Sequence, residues 1–144
     1  MHLTLHLTTA CNMRCSYCYA PPRDGEPMTE AVGRQAMDLG SRMTSGSCGI
    51  VFFGGEPLLC KDRICSLVAY GRELERTRAG RFHFKLTTNG LLLDDEFLDF
   101  AMRNDVLVAM SFDDVREAHD RHRRLCNGEG SFDILIQRLR ALLA

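Results

Sequence analysis

The strongest restriction on what this chain can fold into is an alternation of short apolar runs with stretches of helical periodicity, four of each. Residues 2–9 alternate, with Leu3, Leu5 and Leu7 on one side, which is the period-two signature of a strand. Residues 49–53 form a second short apolar run and residues 82–87 give a third strand. Residues 106–112 are almost continuously apolar, as a central parallel strand is. Thr29 is placed to cap a helix carrying Val32, Ala36, Leu39 and Met43, after a polar, proline-containing link at 21–27. Asp62 is placed to cap a second helix with Ile64, Leu67, Val68 and Leu74 inward. Asp94 begins a third with Phe97, Leu98 and Ala101, and Ser131 a fourth with Phe132, Leu135, Ile136, Leu139 and Leu142 aligned. The alternation predicts an α/β fold of four consecutive βα units, with a parallel sheet and right-handed crossovers. No internal repeat or second domain interrupts it, so residues 1–144 are expected to form one domain.

The unusual residues fall where each strand ends. Cys11, Cys15 and Cys18 follow the first strand, Gly54-Gly55-Glu56-Pro57 the second and Thr88-Asn89-Gly90 the third, while Ser111-Phe112-Asp113 closes the fourth. Parallel α/β folds bind ligands at the carboxyl ends of their strands, so four motifs distant in sequence are expected to meet on one rim.

The chain has seven cysteines, an odd number, and no basic start or apolar core of an export signal, which argues against a disulfide framework. The C-x3-C-x2-C spacing of Cys11, Cys15 and Cys18 suits three thiolates on one face of a [4Fe–4S] cluster, leaving its fourth iron open. A zinc site completed by His2 or His6, or cysteines that only pack, are the alternatives. Cys48, Cys60, Cys65 and Cys126 are scattered and read as small packed side chains, with Cys126 close enough to the presumed rim to face a substrate. A formal net charge of −1 gives no field that draws the chain to nucleic acid or anionic lipid. No run approaches the ~20 apolar residues of a membrane span, so neither partner is expected and a cytoplasmic location is.

Cys11-Asn12-Met13-Arg14-Cys15-Ser16-Tyr17-Cys18-Tyr19, Phe53-Gly54-Gly55-Glu56-Pro57-Leu58 and Thr88-Asn89-Gly90 together resemble the radical S-adenosylmethionine (SAM) superfamily. Within it they are similar to the peptide-modifying branch that includes anaerobic sulfatase maturases. Ser111-Phe112-Asp113, the His119-Asp120-Arg121-His122-Arg123 stretch and Gly128-Glu129-Gly130-Ser131-Phe132 extend the likeness in the family's order.

That resemblance implies a [4Fe–4S] cluster on Cys11, Cys15 and Cys18 and SAM bound to its open iron. One electron, from a donor such as flavodoxin or ferredoxin, would cleave SAM to a 5′-deoxyadenosyl radical for modification of a peptide or protein side chain. It assigns Gly54, Gly55 and Glu56 to the SAM amino group, Ser111 and Asp113 to the ribose, Arg123 to the carboxylate, Tyr17 to the adenine and Asn89 to the pocket wall. From the residues alone, Gly54-Gly55 and the 111–113 segment are also ordinary turns. Arg123 also fits a solvated helix surface, with Asp120 and Arg124 spaced for an i,i+4 ion pair.

Members of this branch are longer, with a six-unit partial barrel and a cysteine-rich domain for further clusters. The chain therefore reads as the N-terminal part of a radical SAM core, with an exposed edge on its last strand. A truncated, non-catalytic [4Fe–4S]-binding module and a glycyl-radical-enzyme activase are the alternative functions.

Overall fold

The computed structural model describes residues 1–20, 25–44 and 46–143, so the first four positions of the expected link at 21–27 lie outside it. Four strands, β1 (His2–Thr8), β2 (Ser47–Gly54), β3 (Arg81–Thr88) and β4 (Val106–Met110), form one parallel sheet in the order β1-β2-β3-β4. The connections are α1 (Glu30–Met43), then a 3-10 turn (Pro57–Cys60) leading into α2 (Lys61–Thr77), and α3 (Asp95–Arg103). Beyond β4 follow α4 (Arg116–His122) and α5 (Phe132–Leu143). This is the expected run of βα units, with α4 as an addition that the sequence periodicity did not disclose.

All the strands bury one parity of side chain. Leu5, Leu7, Ile50, Phe52, Phe84, Leu86 and Val106 pack with Met37, Ile64, Leu67, Val68, Phe97 and Ala101 of the helices in one core. Burial of each such side chain stabilises by about 1.5–3 kcal/mol, which makes this single layer of helices the main source of stability. The register pairs Leu5 with Phe52 and Phe52 with Leu86, so the apolar row runs straight across the sheet.

The opposite face carries His2, Thr4 and His6 of β1 and His83 and Lys85 of β3, all exposed. None of the four strands contains Asp or Glu. Gly49 sits between His2 and His83 in the same row, and the His2 ring occupies the space a Gly49 side chain would need.

Several helix details differ from expectation. Val32, Leu39 and Met43 are exposed, and α1 packs instead through Gly33, Met37 and Gly40. The reason is close approach: Leu67 lies where a Gly33 side chain would stand and the Cys48 sulfur where a Gly40 side chain would, so small residues face the core and larger ones face out. Thr29 and Asp94 do cap α1 and α3, accepting from the Val32 and Phe97 amides. Asp62 lies inside the first turn of α2, because the 3-10 turn moves the helix start back to Lys61. β4 is an edge strand, as expected of the last one, but its continuous apolar run does not mark burial on both faces, since Leu107 is 64% exposed.

Ser131 begins α5, but its hydroxyl donates to the Arg123 carbonyl. The capping acceptor is Asp120 from α4, whose Oδ1 takes the Ser131 and Phe132 amides at 2.8 and 2.9 Å. A carboxylate at a helix N-terminus also complements the helix dipole. Asp120→Ala is expected to lower stability in urea unfolding by about 1–2 kcal/mol, and Asp120→Asn, which keeps the acceptor oxygen, to restore most of it.

Candidate functional site

The strand-end motifs meet at the carboxyl rim of the sheet around a cavity of about 230 Å³. Its wall includes Cys11, Cys15 and Cys18 with Tyr17 from the loop after β1, Gly54 and Gly55 from the end of β2, Asn89 beyond β3, Ser111 beyond β4, and Arg123.

The cysteine loop has almost no regular structure of its own, and a distant segment shapes it. Met13 and Leu125 form an antiparallel bridge, the Arg14 amide donates to the Arg124 carbonyl, and the Ser16 amide donates to the His122 carbonyl, both at 2.8 Å. The Ser16 hydroxyl also meets His122 Nδ1 at 2.7 Å, and Met13 between the cysteines is fully buried. The residues just beyond α4 therefore hold the loop that aims the three thiols into the cavity.

Gly54 has a φ of +134°, a conformation that glycine adopts freely. Side chains at Gly54 and Gly55 would overlap the carbonyl oxygens of Thr8 and Ala10. The two glycines therefore let the end of β2 close against the start of the cysteine loop, where the Gly55 and Glu56 amides donate to those same carbonyls at 2.8 Å. Glu56 is fully buried and lies behind the cavity wall. Its Oε1 accepts from the Leu58 amide and the Thr88 hydroxyl, and its Oε2 from the Asn89 amide. Burial pushes its pKa up, against the lowering pull of those three donors and of the Arg123 charge. Glu56 thus ties the rim loop after β2 to the one after β3.

Asn89 is held by that contact, and its side-chain amide points back at the cysteine loop, 2.8 Å from Asn12 Oδ1 and 3.7 Å from the Cys11 sulfur. The Met13 amide reaches the same sulfur at 3.4 Å. Hydrogen bonds of this kind to a ligating thiolate tune the potential of an iron–sulfur cluster.

Arg123, only 6% exposed, is no solvated surface residue. Its guanidinium donates to the Tyr17 hydroxyl at 2.8 Å, and its buried Nε–H has no hydrogen-bond partner among the described residues. Tyr17 in turn donates to the Asp113 carboxylate at 3.0 Å. Asp113 is joined to the cavity through Tyr17 rather than forming its wall. The expected Asp120–Arg124 pair is replaced: Asp120 caps α5, and Arg124 Nε donates to the Asp120 main-chain oxygen.

His6, Phe53, Thr87 and Tyr19 also line the cavity. His6 meets Phe53 edge-on, with ring centroids 5.4 Å apart. Strand parity was the available signal for His6 and Thr87, which share the face of the sheet opposite the core. Cys126 is exposed and lies off the cavity wall. Cys48 is buried, and burial raises the pKa of Cys48, Cys60 and Cys65, as packed thiols require.

The donor set fits a [4Fe–4S] cluster: three cysteines on one loop share a cavity wall with amide donors at one sulfur. Among the described residues no three His, Cys, Asp or Glu side chains, the three cysteines included, stand close enough together to hold a single metal ion. Arg123 lines the cavity, and its guanidinium charge suits an anionic ligand such as the SAM carboxylate. Replacing Glu56 by Gln places an amide hydrogen against one of three donors, and urea unfolding is expected to show a loss of about 1–3 kcal/mol.

Residues 5–144 match the family described as the Radical SAM superfamily. The chain is 34% identical over 136 residues to the Fe-coproporphyrin III synthase of Methanosarcina barkeri, covering 93% of this chain and 32% of that protein. It is 27% identical to a cysteine-type anaerobic sulfatase-maturating enzyme of Clostridium perfringens, covering 87% and 36%. The solved structure described as native anSMEcpe with bound AdoMet and Cp18Cys peptide superposes with a TM-score of 0.87 at 25% identity, over 98% of this chain and 39% of that one. The chain thus spans about a third of the length of the curated relatives it matches. No helix among the described residues is long and apolar enough to cross a membrane. With its fold, its cysteine loop and its sequence in agreement, the chain belongs to the radical SAM superfamily, whose members use a [4Fe–4S] cluster and S-adenosylmethionine.

Proposed function

We propose that this chain is the cluster- and SAM-binding part of a radical SAM enzyme that modifies a peptide or protein side chain. The observation that carries the reading is the convergence of Cys11, Cys15 and Cys18 with the buried Arg123 guanidinium on one cavity. When bound, the cluster supplies one electron, received from a donor such as flavodoxin or ferredoxin, to cleave SAM to a 5′-deoxyadenosyl radical. Cys11, Cys15 and Cys18 hold the cluster, and Asn89 and the Met13 amide polarise the Cys11 sulfur. Arg123 would face the SAM carboxylate, Tyr17 and Ser111, on the same cavity wall, would border its nucleoside, and Asp113 orients Tyr17 for that contact. Gly54, Gly55 and Glu56 hold in place the rim backbone that would receive the SAM amino group.

The likeness to a structure with bound peptide supports a peptide substrate. After anaerobic reconstitution with iron and sulfide, the protein is expected to show a [4Fe–4S] spectrum that shifts on addition of SAM, and to form 5′-deoxyadenosine under a strong reductant. Cys15→Ala is expected to abolish both signals. A wild-type protein that holds only zinc overturns the reading.

A second reading keeps this chemistry and changes the substrate to a carboxylate-bearing tetrapyrrole. The acid-free face of the sheet opposite the core, with Lys85, His83 and His6 leading up to the cavity, favours it. So does the relative whose name specifies Fe-coproporphyrin III. Absorbance titration with Fe-coproporphyrin III separates the two. Saturable binding that Lys85→Glu weakens about tenfold, the loss of ~1.4 kcal/mol, is expected for a tetrapyrrole enzyme, and no saturable binding for a peptide-modifying one.

A further inference from the structure

Two groups placed above around SAM, Asp113 and Arg123, are joined from behind by one imidazole. His119 of α4 is fully buried. Its Nδ1 lies 3.3 Å from the Asp113 amide nitrogen, and its Nε2 lies 2.9 Å from the Ser131 hydroxyl. That hydroxyl lies 2.7 Å from the Arg123 carbonyl oxygen. Phe112 and Phe132 pack against the ring with centroids 4.9 and 5.6 Å away.

The hydrogens in this chain are determined at both ends. The Asp113 amide can only donate, so Nδ1 accepts. The Arg123 carbonyl can only accept, so the Ser131 hydroxyl directs its hydrogen there, leaves its oxygen as an acceptor, and requires a hydrogen on Nε2. Only the neutral imidazole with its hydrogen on Nε2 satisfies every contact. Burial, and then the Arg123 charge, lower the His119 pKa in the sense this requires.

The chain closes into a ring. From Arg123 it continues through the guanidinium to the Tyr17 hydroxyl, and from Tyr17 to the Asp113 carboxylate. One arm of the ring runs through the main chains of Asp113 and Arg123 by way of His119 and Ser131, and the other through their side chains by way of Tyr17. Tyr17 precedes the cluster ligand Cys18, so the ring also reaches the cysteine loop.

We propose that His119 is a positioning residue for SAM, fixing Asp113, which orients Tyr17 at the nucleoside, and the carboxylate-side Arg123 relative to each other through one ordered chain of hydrogen bonds. The proposal rests on the SAM-binding reading given above, and half-mimics of the imidazole test it separately. His119→Asn keeps an acceptor at the Nδ1 position and loses the donor to Ser131, whereas His119→Gln keeps that donor and loses the acceptor for Asp113. The two ends of SAM are probed on the reconstituted protein by calorimetric titration with 5′-deoxyadenosine and with methionine.

His119→Asn is expected to weaken methionine about fivefold, the effect of one ordinary hydrogen bond, with little change for 5′-deoxyadenosine. His119→Gln is expected to do the reverse. Equal weakening of both probes by both variants, or no change in either, overturns the proposal and leaves His119 a packing residue. A wild-type protein that binds neither probe overturns the SAM reading itself. Nitrogen NMR of the histidine-labelled wild-type protein gives a check independent of any variant's folding: a single tautomer with hydrogen on Nε2 is expected, and hydrogen on Nδ1 overturns the proposal.

Discussion

A loop that must present three thiolates to one metal cluster cannot keep its shape by its own hydrogen bonds, and the site depends on the antiparallel contact that supplies them. The contact joins Met13–Leu125, Arg14–Arg124 and Ser16–His122 across the mouth of the fold. Its main-chain bonds fix the path of the loop whatever side chains stand between the cysteines, and buried Met13 anchors it to the body of the domain. The same short segment contains Arg123, so the residues that shape the cluster loop also deliver the cation expected at the SAM carboxylate. Cluster geometry and ligand geometry are thereby set by one piece of backbone.

Behind that mouth, buried charge does the joining. The Glu56 carboxylate satisfies donors from its own 3-10 turn and from Thr88 and Asn89, while Asn89 passes the constraint on to Cys11. A buried carboxylate is unfavourable unless its oxygens are filled, and here every partner is a donor from the rim. The desolvation cost is offset only when the rim loops are in place together, so the rim tends to be wholly formed or not formed at all.

Much of this was legible in the sequence. Leu5, Phe52, Phe84 and Val106 announced their strands by alternation or apolar runs, and the position of unusual residues at strand ends was enough to gather Cys11, Gly54, Asn89 and Ser111 at one rim. Periodicity misled where helices approach closely. In α1 the small Gly33 and Gly40 face the core because Leu67 and Cys48 need the space, and no hydrophobicity pattern marks a glycine as buried. α4 is short and polar, so it left no apolar stripe to read. The roles of Asp120 and Glu56 were hidden for a related reason: each accepts from partners remote in the chain, and a carboxylate's donors have no sequence period.

The stapling of the cysteine loop by residues 122–125 has a temporal side. Ser16 and His122 are 106 positions apart, so on a growing chain the three thiols emerge long before the segment that arranges them. Until then they lie on an unshaped strand of nascent polypeptide, open to stray oxidation or to the wrong metal. Correct loading of iron and sulfide belongs after residues 122–125 have been made.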